Sequence, residues 1–367
     1  MALISLYRMN LLAEYKFHFL MVLGNIGCAF SYFITNFAFN HGMRPPVYTV
    51  YRLAIGGCVL LPFAYVIERK RLPSLTAGLL CKICLLSLSG TSLPIITFFE
   101  GMRCTSPTVA AAVNNTIPCI VFVLAVILRL ESLKIRSGRG MAKVAGSVLS
   151  LAGVTIMTIY KGQPLSRFKE APLHMEDQAI QEEWIKGSIL VVVSCLSFSF
   201  SYILQAKTLK KYPGQVSLAV WMNLIGAAMS AVYAAATTKL EPSAWALGFD
   251  VRLLAILYGG LSGSGFLIFV QLWCTKEKGA VFMTMFNPLT TFMSAFVAYF
   301  LVGSTLFLGS IIGAVVVVVG LYSLLWGKQG DEKKKMNNGS KDEEGAAGFA
   351  STSSSELRLD VDEETHA

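Results

Sequence analysis

The stretch from Gly279 to Lys328 holds two apolar runs of membrane-spanning length, and it repeats an earlier part of the chain. Moved back by 170 positions, Pro288 falls on Pro118, Phe292 on Phe122 and Ala295 on Ala125. The same offset pairs Gly260 with Gly90, Cys274-Thr275 with Cys104-Thr105, Gly226 with Gly56, and Phe200-Ser201-Tyr202 with Phe30-Ser31-Tyr32. Beyond the prolines the offset becomes 167, joining Gly313 to Gly146 and Gly320 to Gly153, as a three-residue difference in one connection produces. One register with one insertion is the mark of a tandem duplication.

What is duplicated is a set of membrane spans. The 367 residues are 54% hydrophobic and only 14% charged, outside the range of a soluble domain. A hydrocarbon core about 30 Å thick takes roughly 20 apolar residues per helix. Ten such runs lie near 17–39, 47–67, 79–99, 107–128, 141–160, 187–206, 215–237, 253–274, 280–302 and 307–326. The runs are continuous rather than alternating, which excludes spanning strands. The first lacks a short apolar core with a small-residue cleavage site and reads as a retained helix.

The net charge of +9 lies at helix ends, as in Arg69-Lys70-Arg71 and in Arg129, Lys134, Arg136, Arg139 and Lys143, so it marks loops rather than a nucleic-acid surface. Its concentration on one side places both termini in the cytoplasm. Five helices per repeat is odd, so the second repeat inserts upside down. The reading is an all-α integral membrane protein with ten transmembrane helices in two inverted five-helix repeats. Residues 1–16 are a cytoplasmic lead, 17–160 the first repeat, 161–186 a non-cytoplasmic connection, 187–327 the second repeat and 328–367 a disordered cytoplasmic tail.

Polar residues inside spans point to what the repeats enclose. The fourth run carries Asn114-Asn115-Thr116-Ile117-Pro118 and the ninth carries Asn287-Pro288. A proline inside a helix displaces the carbonyl four residues earlier, here those of Asn114 and Thr284, which then needs a partner or a wet cavity. Two such kinks in matching places of opposed repeats predict a central site with Pro118 and Pro288 as hinges. Packing through amides and kinks is the plainer alternative. Asn25, Gln205 and Asn223 add amides from other spans, and Tyr51 and Trp221 add shape. Arg52 has two readings, a snorkelling anchor at the interface or a clamp for a substrate carboxylate. Glu100, beside Arg103, reads as half of a surface pair.

Gly146, Gly153, Gly313 and Gly320 mark the fifth and tenth runs as close-packed scaffold or dimer helices, which leaves a homodimer open. The CxxC at Cys81 and Cys84 lacks a second ligand pair, so the eight cysteines read as core packing. The four histidines, His18, His41, His174 and His366, are scattered, so no metal, cofactor or catalytic site is expected and the chain is not read as an enzyme.

The stretches GMRPPVYTVYR, TSPTVAAAVNNTIP, RLESLKIRSGRGMAKVAG, FNPL and LGSIIGAVVVVVGLYSLLWGK resemble the plant branch of the drug/metabolite transporter superfamily, the EamA-domain, nodulin-like or walls-are-thin-related transporters, over residues 15–328. That resemblance implies a cavity between helices 1–4 and 6–9, and transport of amino acids by export or in both directions, or of auxin at the vacuole. The chain departs from the family pattern at Ser304, at Ile95-Ile96, and at Phe198 and Tyr202. The expected partners are a small solute and the lipid bilayer, at the plasma or vacuolar membrane.

Overall fold

A run of apolar residues in lipid satisfies its backbone only by closing hydrogen bonds within itself, and the chain is helical through almost all of what its structure describes. The computed structural model describes residues 2–68, 76–105, 110, 113–130, 137–159, 164–166, 184–239, 241–297, 299–300, 306–309, 311–313, 315–320, 322–323 and 326–327. Glu131, Ser304, the 328–367 tail and most of the 161–186 connection lie outside these residues.

The first half runs α1 (Ala2–Asn40), α2 (Pro45–Glu68), α3 (Ala77–Ser87), a π-helical turn π1 (Leu88–Ser92), α4 (Leu93–Cys104), α5 (Ile117–Ile127) and α6 (Gly138–Ile159). The second half runs α7 (Trp184–Leu209), α8 (Gln215–Thr238), the short α9 (Pro242–Trp245), α10 (Val251–Tyr258), π2 (Gly259–Leu267), α11 (Ile268–Lys278), α12 (Ala280–Thr284) and α13 (Asn287–Val297). Among the described residues, six continuous helices are long and apolar enough to cross a membrane: Lys16–Asn40, Pro45–Glu68, Ala77–Cys104, Ile185–Leu209, Gln215–Thr238 and Val251–Lys278. Large apolar side chains such as Val66, Val232 and Tyr322 point outward, where a bilayer covers them.

Among the described residues there is also one strand pair. Pro164–Ser166 pairs antiparallel with Leu306–Phe307, a local clasp that the continuous apolar pattern does not forecast.

The third and eighth runs are each one helix with a widened centre. Both π segments fall in the same repeat register, with Gly90 in one and Gly260 in the other. Hydroxyls bond back along the chain there: Ser87 to the Ile83 carbonyl (2.8 Å), Thr91 to that of Ser87 (2.7 Å) and Ser262 to that of Tyr258 (2.6 Å). Such back-bonding and the glycines loosen the regular ladder, as π turns at functional sites do.

Helices α2 and α8 form an antiparallel pair tied at both ends. At one end Arg44 meets Glu241 at 2.8 Å, both exposed. At the other, the buried Glu68 carboxylate accepts from the backbone N–H groups of Val216 (3.1 Å) and Ser217 (2.8 Å). These are unpaired donors of the first turn of α8, so Glu68 caps a helix from a neighbouring one. Tyr212 pairs with Ser217 at 2.7 Å beside it, and burial pushes the Tyr212 phenol above its ordinary pKa, keeping it neutral. Along the pair, a Cβ on Gly57 would come within 2.7 Å of Leu224, and one on Gly226 would collide with Thr91.

The glycines of the fifth and tenth runs are used within the chain. A Cβ on Gly153 would lie 2.8 Å from the Gly313 carbonyl oxygen, and one on Gly320 would lie 2.7 Å from that of Gly146. The two helices thus touch backbone to backbone. Gly320→Val forces them apart and is expected to cost about 1–3 kcal/mol, read as a lower melting temperature of the solubilised protein. Cys58 and Cys81 are exposed and Cys84 is half-buried, so these thiols do not pack in the core. Small polarisable thiols sit without strain on a lipid-facing surface.

Candidate functional site

The prolines act differently from the kinks expected of them. In the fourth run the helix stops at Asn115-Thr116 and restarts as α5, with Pro118 in its first turn. In the ninth, α12 stops before Met285-Phe286 and α13 restarts at Asn287-Pro288. A proline in a first turn leaves no partner missing, because that N–H has none inside the helix. The result is a pair of broken helices in equivalent places rather than two bent ones. Thr291 of α13 donates to Asn115 Oδ1 across them at 3.0 Å.

Beside the breaks lies a cavity with about 90 Å³ of free space. That is well above the roughly 10–15 Å³ a cavity needs to hold one water, so the space is large enough for several waters or a small solute. Its wall takes residues from α1, α2, π1, α4, α5, α7, α8, π2, α11 and α13. Asn25, Arg52, Asn114, Gln205 and Asn287 all line it.

Their commitments differ. Asn25 is held at both ends, donating to the Met21 carbonyl (2.6 Å) and accepting from Thr290 (2.6 Å). Asn114 Oδ1 accepts from the Cys195 thiol at 3.2 Å. Gln205 is 3% exposed, and its Oε1 has no hydrogen-bond partner among the described residues.

Arg52 does not snorkel. It is 6% exposed, and its Nε donates to Ser264 Oγ at 3.1 Å. The guanidinium lies 5.1 Å from the Phe99 ring centroid and 6.0 Å from that of Tyr48. Gly263 leaves it room, since a Cβ there would coincide with the guanidinium. Tyr48 is fixed by Thr35 at 2.8 Å and by edge contacts with Phe39 and Phe99. Among the described residues Arg52 is the one cation on the cavity wall, and no Asp or Glu lines it.

Four expected site residues stand elsewhere. Tyr51 donates to the Trp245 carbonyl at 3.0 Å. Asn115 joins the broken helices as described. Trp221 packs on a second apolar cluster around Leu218 and Met222. Asn223 is fully buried and donates to the Ser264 carbonyl at 2.8 Å, while its Oδ1 has no partner among the described residues. It positions the segment that holds Arg52 rather than facing the cavity.

Several wall residues escaped the sequence reading, among them Cys28, Tyr32, Phe99, Met222 and Thr290. The repeat held a signal for some of them. Tyr32 and Tyr202 are equivalent under the 170-residue offset, and so are Arg52 and Met222. All four line the cavity.

Comparison with known sequences accounts for this arrangement. The profile of the EamA-like transporter family matches the chain twice, over residues 16–159 and 185–326. The chain belongs to the EamA-like transporter family. Family membership makes it a multi-pass membrane protein and a transporter of small solutes. Among its relatives are WAT1-related proteins of Arabidopsis thaliana. One is 36% identical over 332 residues, covering 87% of this chain and 82% of the relative. A second is 35% identical over 313 residues, covering 83% and 84%. A solved crystal structure superposes with a TM-score of 0.58 over 83% of this chain and 98% of that one. At 17% identity it supports the fold alone.

Proposed function

We propose that this EamA-like protein is a secondary transporter of small carboxylate-bearing solutes, foremost amino acids, moved outward or in both directions by alternating access. Ten spans in two inverted repeats rock around the cavity, with both termini in the cytoplasm, at the plasma or vacuolar membrane. The observation that carries the reading is Arg52, a buried cation that among the described residues has one hydrogen bond and no carboxylate beside it, on a wall otherwise built of amides, hydroxyls, a thiol and apolar groups. A solute carboxylate answers that charge. The broken helices at Asn114-Asn115 and Asn287 supply the amide side of the site and the places where the repeats flex.

The same cation favours a second reading, an auxin-like organic acid without an amine. A metabolite sensor would use the cavity without flux. No Asp, Glu or His faces the cavity among the described residues, so the proposed movement is facilitated rather than driven by a dedicated proton relay.

The test is efflux from oocytes preloaded with a labelled amino-acid mixture and indole acetic acid. Selective efflux that is lost in a folded Asn114→Ala, Asn287→Ala double variant is the expected result. Undiminished efflux from that variant would move the site away from the helix breaks, and strict dependence on a proton gradient would remove the facilitated mechanism.

A further inference from the structure

We infer that Gln205 is the specificity residue of the cavity, accepting the ammonium group of the solute and so separating amine-bearing carboxylates from their des-amino counterparts. The inference rests on the carboxylate reading given above and adds the second point of recognition.

Phe198, Tyr202 and Gln205 stand at i, i+4 and i+7 of α7, one stripe of that helix, and all three line the cavity. Gln205 is more than nine-tenths buried, and its Oε1 has no partner among the described residues. A buried acceptor left unmade is unfavourable and calls for a ligand group or water. Two of the other amide acceptors on the wall are already engaged: Asn25 Oδ1 takes the Thr290 hydroxyl and Asn114 Oδ1 takes the Cys195 thiol, while Gln271 and Asn287 are less buried than Gln205. Among the described residues no hydrogen bond is made by the Gln205 side chain, so its oxygen can turn to a cation.

Arg52 supplies the opposite pole from another helix, α2, and Ile95, Phe98, Ile117, Leu267 and Ile268 form the apolar wall. A solute with a carboxylate, an ammonium and an aliphatic side chain meets a complementary group at each place. A simple acid leaves Gln205 unanswered. Sites built to hydrogen-bond a group reject analogues that lack it.

The test is calorimetric binding to the full-length protein in lipid nanodiscs, with leucine and with 4-methylpentanoate, the same skeleton without the amine. The wild type is expected to bind leucine at least about tenfold more tightly. Gln205→Leu is expected to bring leucine down to the affinity of 4-methylpentanoate and leave the latter unchanged. Gln205→Glu, which keeps the shape and the acceptor, is expected to keep the preference. Equal weakening of both ligands by Gln205→Leu, or no preference in the wild type, would overturn the role of Gln205 while the carboxylate reading stands. Binding of neither ligand by folded protein would remove the carboxylate reading and this inference with it.

Discussion

Arg52→Met is expected to lower carboxylate transport by roughly 10- to 150-fold while leaving the protein as stable as the wild type or more so. The first figure follows from losing a hydrogen bond to a charged partner, about 1.5–3 kcal/mol, at about 1.4 kcal/mol per decade. The second follows from removing a buried cation that has one neutral hydrogen-bond partner among the described residues, Ser264, and replacing it with an apolar chain of similar length. Methionine is also the residue the repeat places at the equivalent wall position, Met222. Arg52→Lys keeps the charge, but loses the planar fork set between Ser264 and the Phe99 face. It is expected to fall between the two. Initial rates of labelled amino-acid uptake, together with melting curves of the same preparations, separate the outcomes. A variant that melts early and transports poorly would give Arg52 a structural role. One that transports normally would place the carboxylate elsewhere.

The second large effect is expected at Glu68. Glu68→Ala leaves two backbone donors of α8, those of Val216 and Ser217, buried without an acceptor. At about 1–3 kcal/mol for each, the loss is expected to be about 2–6 kcal/mol. Glu241→Ala removes the tie at the other end of the same helix pair. There both partners are about half exposed, with side-chain exposures of 43% for Arg44 and 53% for Glu241. Exposed ion pairs contribute about 0–1 kcal/mol, so this variant is expected to melt close to the wild type. Thermal unfolding of the two variants in one detergent checks the asymmetry, and equal shifts would contradict it. The contrast has a mechanical consequence for the proposed cycle, because the Arg44–Glu241 end of the pair parts at far lower cost than the Glu68 end.

The positions of the site helices were legible in the sequence, but the direction each one faces was not. Apolar runs with polar interruptions located the helices, and the repeat register matched Pro118 to Pro288 before any contact was known. Yet each misplaced site residue stands one position from a residue that does line the cavity. Tyr51 precedes Arg52, Asn115 follows Asn114, and Trp221 and Asn223 flank Met222. One residue turns a helix by about 100°, which sends Asn223 to the Ser264 carbonyl, while the break at Asn115-Thr116 sends Asn115 to Thr291. A helix that is apolar all round carries no stripe from which to set that phase.

The proline reading failed for a related reason. A proline close after a polar residue fits both a kinked helix and a fresh helix start, and only the turns at Asn115-Thr116 and Met285-Phe286 decide between them. The π segments were readable in principle from SGTS and GGLSGSG in the same register, but serine and glycine in a span serve equally for close packing.

The most direct test of the account is counterflow with purified protein in liposomes. Vesicles are preloaded with unlabelled leucine and diluted into labelled leucine, with no proton gradient imposed. The account predicts a transient accumulation of label that is absent from vesicles carrying the Asn114→Ala, Asn287→Ala variant. Folded protein that binds leucine in nanodiscs yet shows no counterflow would contradict transport and make the cavity a sensing site.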